Sequence, residues 1–145
     1  MCEKVALNSP KKDEDEVLRV YKRVNPSTYF IESSEEEFVL REQFLTNLYT
    51  FRLTFPPKMF EGMTLLEFGS GTGEHSLFYL KWGARGTFVE MNDIACDRAR
   101  KLFKFAEIAE NRYEIVNSSL FDYAQDRKFD LVISSGVIHH TGDKR

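Results

Sequence analysis

The sequence predicts an α/β fold: a doubly wound parallel sheet with strand order 3-2-1-4 and helices on both faces. Three observations predict it. Short apolar runs alternate with amphipathic stretches in the order β-α-β-α-β-x-β across residues 63–135. The first run, Thr64-Leu65-Leu66-Glu67-Phe68, breaks into Gly69-Ser70-Gly71-Thr72-Gly73, and a helical pattern starts at once. An acid, Glu90, closes the second run about twenty residues past the first glycine, a spacing at which such folds place a ligand-binding carboxylate. Strands separated by helices are joined by right-handed crossovers, which gives a parallel sheet.

The totals agree with one soluble domain. The chain has 145 residues, 42% hydrophobic and 30% charged, with a net charge of −3. That length supports a sizeable core. A slightly acidic chain has no broad basic face for nucleic acid, so a nucleic-acid partner is not expected. Cys2 and Cys96 lie far apart and read as free thiols of a reducing compartment. No apolar run is long enough to span a bilayer, and residues 1–16 carry no apolar signal-peptide core, so no membrane partner is expected. A cytoplasmic location follows as the default expectation.

Taken in order, residues 1–16 hold Lys11, Lys12, Asp13, Glu14, Asp15 and Glu16 and little to bury, which predicts a frayed, disordered tail. Val17, Leu18, Val20, Tyr21 and Val24 suit a short helix or a short strand, and Asn25-Pro26-Ser27 closes that segment. Ser34 and Glu37 have capping-box spacing, and Glu35, Glu36 and Glu37 suit the positive end of a helix. Phe38, Leu45 and Leu48, with Phe44 beside them, mark one face of a helix of about five turns, ended by Pro56-Pro57. Phe44, Tyr49, Phe51 and Phe55 are read as packing aromatics. Residues 17–61 thus form an N-terminal helical segment, and residues 62–145 the sheet domain.

Met63–Phe68 reads as a strand buried on both faces. Glu74–Trp82 follows as a helix with Leu77, Phe78 and Leu80 inward, stopped by Gly83. Thr87–Met91 is the second strand. Asn92 or Asp93 caps a long helix in which Ala95, Ala99, Leu102, Ala106 and Ala109 recur at intervals of four and three. Tyr113–Val116 is a short third strand. Phe129–Ser135 is the fourth and most apolar.

The glycine turn narrows the ligand. A phosphate-cradling loop needs Gly-x-x-x-x-Gly-Lys-Ser/Thr, and no lysine follows here. The dinucleotide fingerprint wants a small residue where Glu74 stands, and Glu74 at a helix start would repel a pyrophosphate. What remains, apolar-apolar-acid-apolar-Gly-x-Gly-x-Gly, suits a nucleoside ligand without a phosphate. Glu90 is placed to accept hydrogen bonds from both ribose hydroxyls. The alternative is a surface Glu90 and a merely tight turn.

On these motifs the chain resembles the class I S-adenosylmethionine-dependent methyltransferases, which are Rossmann-like. The match covers about residues 62–143: Leu65–Gly73 resembles the first motif, Thr87–Asn92 the second, Ile115–Phe121 the third, and Phe129–His140 the fourth with its loop. The resemblance implies S-adenosyl-L-methionine as cofactor. It implies that Gly69, Ser70, Gly71, Thr72 and Gly73 lie against the methionyl and ribose parts. Glu67 would face the cationic amino-acid end, and Glu90 with Met91 would line the sugar site. In the third motif an Asp commonly reads the adenine amino group. Here the aligned stretch is Asn117-Ser118-Ser119-Leu120-Phe121, so the role passes to Ser118, with Ser119 and Leu120 beside it and Leu120 or Phe121 packing on the ring. Ser134, Ser135 and Gly136 would border the transferable methyl.

Two further expectations follow from that resemblance. The family sheet continues beyond the fourth strand, whereas this sequence stops at Arg145. The fourth strand is then expected at a free edge, through which two copies would pair as a homo-oligomer. The loop lacks the Asn/Asp-Pro-Pro-aromatic signature of many enzymes that methylate amino groups of nucleic-acid bases or amides, so a small-molecule methyl acceptor is expected. His139 and His140 are the candidate acid–base groups, able to deprotonate a hydroxyl acceptor. A structural or simply solvated histidine is the competing reading. No metal is expected, since His75 stands alone on its helix. The rivals to a methyltransferase are a cofactor-binding module without turnover and a nicotinamide dehydrogenase, the latter disfavoured by Glu74.

Overall fold

The structure, a computed structural model, describes residues 10–24 and 34–138, with side chains from residue 14 onward in the first segment. Helix α1 runs Pro10–Val24. This corrects the frayed tail over residues 10–16 and decides residues 17–24 for helix, while residues 1–9 lie outside the described residues. Asp13, Glu14, Asp15 and Glu16 in the first half and Lys22 and Arg23 in the last turn suit the helix dipole, and Lys11 and Lys12 in the first turn do not. Val17, Leu18 and Tyr21 turn inward onto a cleft, while Val24 is exposed.

Helix α2, Glu35–Asn47, starts at Ser34, whose Oγ accepts from the Glu37 N–H at 3.3 Å. It runs on into a π-helical turn, Leu48–Arg52. Tyr49 is buried and Phe55 packs against the core, but Phe44 and Phe51 are exposed, contrary to their expected packing role. The Arg41 guanidinium lies over the Phe44 ring, 5.7 Å from its centroid.

The sheet follows the predicted pattern. Strand β1 is Thr64–Phe68, helix α3 Glu74–Lys81, strand β2 Arg85–Glu90, helix α4 Asp93–Phe105, strand β3 Tyr113–Asn117 and strand β4 Leu131–Ser134. All pairs are parallel, in the order β3-β2-β1-β4. Helix α4 ends earlier than its alanine spacing suggested. Ala106 is its C-cap, and Glu107 takes a left-handed φ of 54° that turns the chain away before Ala109.

Helices α3 and α4 pack on one face, where Phe88, Leu77, Phe78, Leu102 and Phe103 form one cluster. The Phe88 and Phe103 rings meet edge-on at 5.6 Å. A second knot of rings fastens the π-helical turn to α3: Phe60 stacks on Tyr79 at 5.1 Å, and the buried hydroxyls of Tyr49 and Tyr79 bond to each other. The opposite face is crossed by the irregular connection 118–130. Tyr123 there meets Phe68 edge-on at 5.8 Å, and Arg127 Nη2 donates to Thr87 Oγ1 and Glu114 Oε2 at 3.2 and 2.6 Å. Asp130 sets the β1–β4 register: its Oδ2 accepts from both the N–H and the hydroxyl of Thr64 at 2.8 Å. Among the described residues β4 is an outer strand, and Val132 on it is 58% exposed.

Gly73 is where the turn and the two helices converge. It caps α3 at a φ of 81°, and a Cβ there would lie 2.9 Å from Ala99 Cβ and 3.0 Å from the Phe103 ring. Left-handed backbone costs a non-glycine residue about 1–2 kcal/mol, and overpacking a tight contact about 1–3 more. Gly73→Ala is therefore expected to lower unfolding free energy by about 2–5 kcal/mol, read from urea midpoints.

Candidate functional site

The turn after β1 is held against the end of β2. The Gly69 N–H donates to the Val89 carbonyl at 2.7 Å, and the Gly73 N–H to the Ser70 carbonyl at 3.0 Å. Glu90 then reaches back across the gap. Its Oε2 accepts from the Gly71 N–H at 2.8 Å, and its Oε1 from the Asn92 N–H at 2.8 Å. The carboxylate faces the glycine turn, as its spacing required. Each carboxylate oxygen can accept a second bond, so both retain capacity for a ligand.

Between the turn and the ends of β2, β3 and β4 lies a cavity of about 360 Å³. This falls within the roughly 300–1,000 Å³ of small-molecule pockets. The turn contributes Gly69, Gly71 and Thr72, and β2 contributes Glu90 and Met91. Ser118 and Leu120 after β3, and Ser135 and Gly136 after β4, complete the lining. All nine were picked out by sequence. No atom stands within 4 Å of where a Gly71 Cβ would be, so its backbone lies open to an occupant.

The remaining sequence candidates lie elsewhere. Glu67 is turned from the cleft into the sheet's helical side, where it accepts from the Ser76 hydroxyl at 2.6 Å. It is 4% exposed and does not line the cavity, which corrects the expectation that it faces the cofactor's amino-acid end. Gly73 acts in packing. Ser70 and Ser134 have buried hydroxyl oxygens with no partner in the structure, and neither lines the cavity. Ser119 sits just behind the wall, its hydroxyl donating to Glu14 Oε1 at 2.6 Å. His139 and His140 lie outside the described residues. Among the described residues no group of three His, Cys, Asp or Glu is placed to hold a metal, and no helix is long and apolar enough to cross a membrane.

Helix α1 is the part of the site that sequence reasoning missed. Glu14, Val17, Leu18 and Tyr21 form a wall of the cavity. The helix is tethered near both ends, by Glu14 to Ser119 and by Lys22 Nζ to Asp93 Oδ1 at 2.8 Å. Those tethers are eight residues apart, about 12 Å of helix at 1.5 Å per residue. The signal was the pair Val17-Leu18 followed by Tyr21 at helical spacing, which fits both helix and strand over so short a run.

Burial sets the protonation chemistry behind the site. The Glu67 carboxyl is raised from its ordinary 4.5 to about 7, chiefly by burial and further by the charge of Glu90, against the opposing bond from Ser76. His75 is pushed down by burial and by Arg41. Cys96, buried beside Glu90, is raised to about 11 by burial first.

Comparison with known proteins identifies the family. A model of the methyltransferase domain matches residues 66–145. The chain belongs to the methyltransferase-domain family. Zebrafish protein arginine N-methyltransferase 6 is 34% identical over 99 residues, covering 68% of this chain and 28% of that protein. The chain thus spans under a third of that curated relative. Among solved structures, an S-adenosylmethionine-dependent methyltransferase from Thiobacillus denitrificans, in complex with S-adenosyl-L-homocysteine, matches at a TM-score of 0.50 and 21% identity. That match covers 55% of this chain and 32% of the other. A candidate S-adenosylmethionine-dependent methyltransferase from Methanococcus maripaludis matches at a TM-score of 0.54 and 17% identity, covering 96% and 55%. These structural likenesses establish the fold of the methyltransferase domain.

Glu67 gives the domain a pH signature. Its folded-state affinity for a proton exceeds that of the unfolded chain, so folding holds a proton that the unfolded state releases between pH 4.5 and about 7. The contribution of Glu67 to stability falls as pH rises through that window and levels off above it, while His75, whose pKa is lowered, contributes with the opposite sign. At 1.36 kcal/mol per pKa unit the loss is roughly 3 kcal/mol. Glu67→Gln, which keeps an acceptor for Ser76, is expected to remove most of the difference between unfolding free energies measured at pH 5 and pH 8.

Proposed function

We propose that this domain binds S-adenosyl-L-methionine in the cleft and transfers its methyl group to an acceptor. The observation that carries this is the Glu90 carboxylate, fixed between the Gly71 and Asn92 N–H groups at the edge of the cavity. A diol offers two donors at the separation of two carboxylate oxygens, which is what a ribose presents. The walls also suit such a ligand. Among the described residues lining the cavity two are Glu and none is Lys or Arg. That charge favours a cationic nucleoside over a phosphorylated one, for which a basic partner or an exposed helix N-terminus is usual. Met91, Ala95 and Leu120 give the apolar surface that a planar base needs.

S-adenosyl-L-methionine supplies a methyl already activated by the sulfonium charge. The chain's part is to hold and align: Glu90 would fix the sugar, Gly71 would admit the ligand close to backbone, and Ser135 with Gly136 would border the reacting end. Positioning of this kind accounts for much of the rate in displacement reactions. Where the acceptor is a hydroxyl, His139 or His140 would take its proton.

Our first reading of the acceptor is a small molecule. A second, an arginine of a protein, is favoured by the 34% identity to zebrafish protein arginine N-methyltransferase 6. A module that binds cofactor without turnover stands as the alternative to both. Calorimetric titration with S-adenosyl-L-homocysteine is expected to show one site. Glu90→Ala should weaken it by about 1–3 kcal/mol, the scale for leaving buried hydroxyls unpaired. Unchanged affinity removes Glu90 from the site. Label transfer from methyl-tritiated S-adenosyl-L-methionine separates the acceptors: to small molecules under the first reading, to arginine-rich peptides under the second, and to neither for a bare binding module.

A further inference from the structure

Two acids line the cavity, Glu90 and Glu14. Glu90 is bound to the glycine turn, whereas Glu14 is bound to Ser119, in the loop that follows β3. A nucleoside lying along the cleft with its sugar at Glu90 would bring its base to Ser118, Leu120 and Glu14. An adenine amine carries two N–H donors, and in a partly closed pocket it must find an acceptor or lose its hydration uncompensated.

The loop after β3 has little to offer it. The Asn117 amide donates to the Glu90 carbonyl at 2.9 Å and also approaches Cys96 Sγ. The Ser118 hydroxyl donates to the Ser119 carbonyl at 3.1 Å, and the Ser118 N–H to the Glu90 carbonyl at 3.2 Å. The Ser119 hydroxyl is engaged twice, donating to Glu14 and accepting from the Phe121 N–H at 3.0 Å. Of that loop only Ser118 and Leu120 line the cavity, and neither is a carboxylate; Asp122, further along, does not line it. Glu14 lines the cavity, and a carboxylate has acceptor sites left after one bond. The chain of contacts Phe121 N–H to Ser119 Oγ to Glu14 Oε1 holds that carboxylate against the loop.

We infer that Glu14, carried by α1, is the residue that reads the exocyclic amine of the adenine, in place of any residue in the loop after β3. This rests on the reading of the cleft as an S-adenosyl-L-methionine site. It makes α1 a source of base specificity as well as a wall. A base carrying a carbonyl at the same position, as in hypoxanthine, would set its oxygen against the carboxylate and keep only the N1–H as a donor beside it, and so bind more weakly.

The test is calorimetric titration of the whole chain with S-adenosyl-L-homocysteine and with S-inosyl-L-homocysteine, which differ in the group on C6 and in the proton that hypoxanthine carries on N1. Wild type is expected to favour the adenosyl ligand by about ten-fold or more, the scale of a charge-assisted hydrogen bond. Glu14→Ala should reduce adenosyl affinity by a similar factor while changing inosyl affinity by less than about three-fold, so that discrimination disappears. Ser119→Ala removes the tether but keeps the acceptor, and should preserve the preference. Equal weakening of both ligands by Glu14→Ala would show a purely structural tether and overturn the inference. So would a wild-type protein that binds both ligands alike. Failure of wild type to bind either ligand would instead reject the cofactor reading beneath it.

Discussion

The bond between Glu90 and the Gly71 N–H joins two strand ends that the sheet alone does not hold together at this height. β1 and β2 pair only up to Phe68 and Val89. Beyond that point the chains diverge, one into the glycine turn and the other toward α4. A carboxylate spanning the gap fixes the turn's open N–H face and simultaneously orders the start of α4 through Asn92. Asn92 in turn caps that helix, its Oδ1 accepting from the Ile94 N–H at 3.1 Å. One side chain therefore organises the turn, the cap and the cavity edge. Because both bonds go to backbone donors, they depend on geometry rather than on which side chains neighbour the turn.

Behind this polar edge the structure tolerates several buried polar groups, each paired locally. Glu67 bonds Ser76, and Tyr49 bonds Tyr79. A buried hydroxyl or carboxyl without a partner costs about 1–3 kcal/mol, so such pairs offset a penalty more than they add net stability. The exceptions in this part of the fold are instructive: Ser70 and Ser134 keep buried, unpartnered hydroxyl oxygens at the ligand ends of the first and fourth strands. Both serines stand at the carboxyl ends of strands, the side on which a doubly wound sheet binds its ligand, although neither lines the cavity.

The sheet was legible in the sequence because its signals are local and redundant. Burial made Leu65 and Leu66 of β1 apolar, β4 carries the apolar run Leu131-Val132-Ile133 even at its outer position, the glycines marked where backbone must turn left-handed, and the spacing from Gly69 to Glu90 is dictated by one strand–helix–strand unit. Gly69, Gly71, Thr72, Glu90, Met91, Ser118, Leu120, Ser135 and Gly136 line the cavity, whereas Ser70, Gly73, Ser119 and Ser134 lie beside it and Glu67 turns away. At a strand end adjacent residues point to opposite faces, and pattern alone does not say which face an acid will take when both are buried. Phe44 and Phe51 failed for a related reason: α2 carries apolar residues around its whole circumference, so spacing picked no single buried stripe.

Helix α1 shows the opposite difficulty. Its sequence looks like a solvated tail because most of its surface is solvated; only Glu14, Val17, Leu18 and Tyr21 meet the domain across the cavity. A helix that covers a ligand site needs few apolar contacts, since a larger apolar face would close on the empty cleft and exclude the ligand. Its attachment instead runs through polar tethers at the rim, Glu14 to Ser119 and Lys22 to Asp93. The exposed Lys22–Asp93 pair contributes at most about 1 kcal/mol, whereas the Glu14–Ser119 contact is a part-buried hydrogen bond to a carboxylate. The charges that hid α1 in the sequence are thus the ones that let it sit over the cleft without sealing it, and a composition chosen for such a role will resemble disorder whenever it is read without the surface it covers.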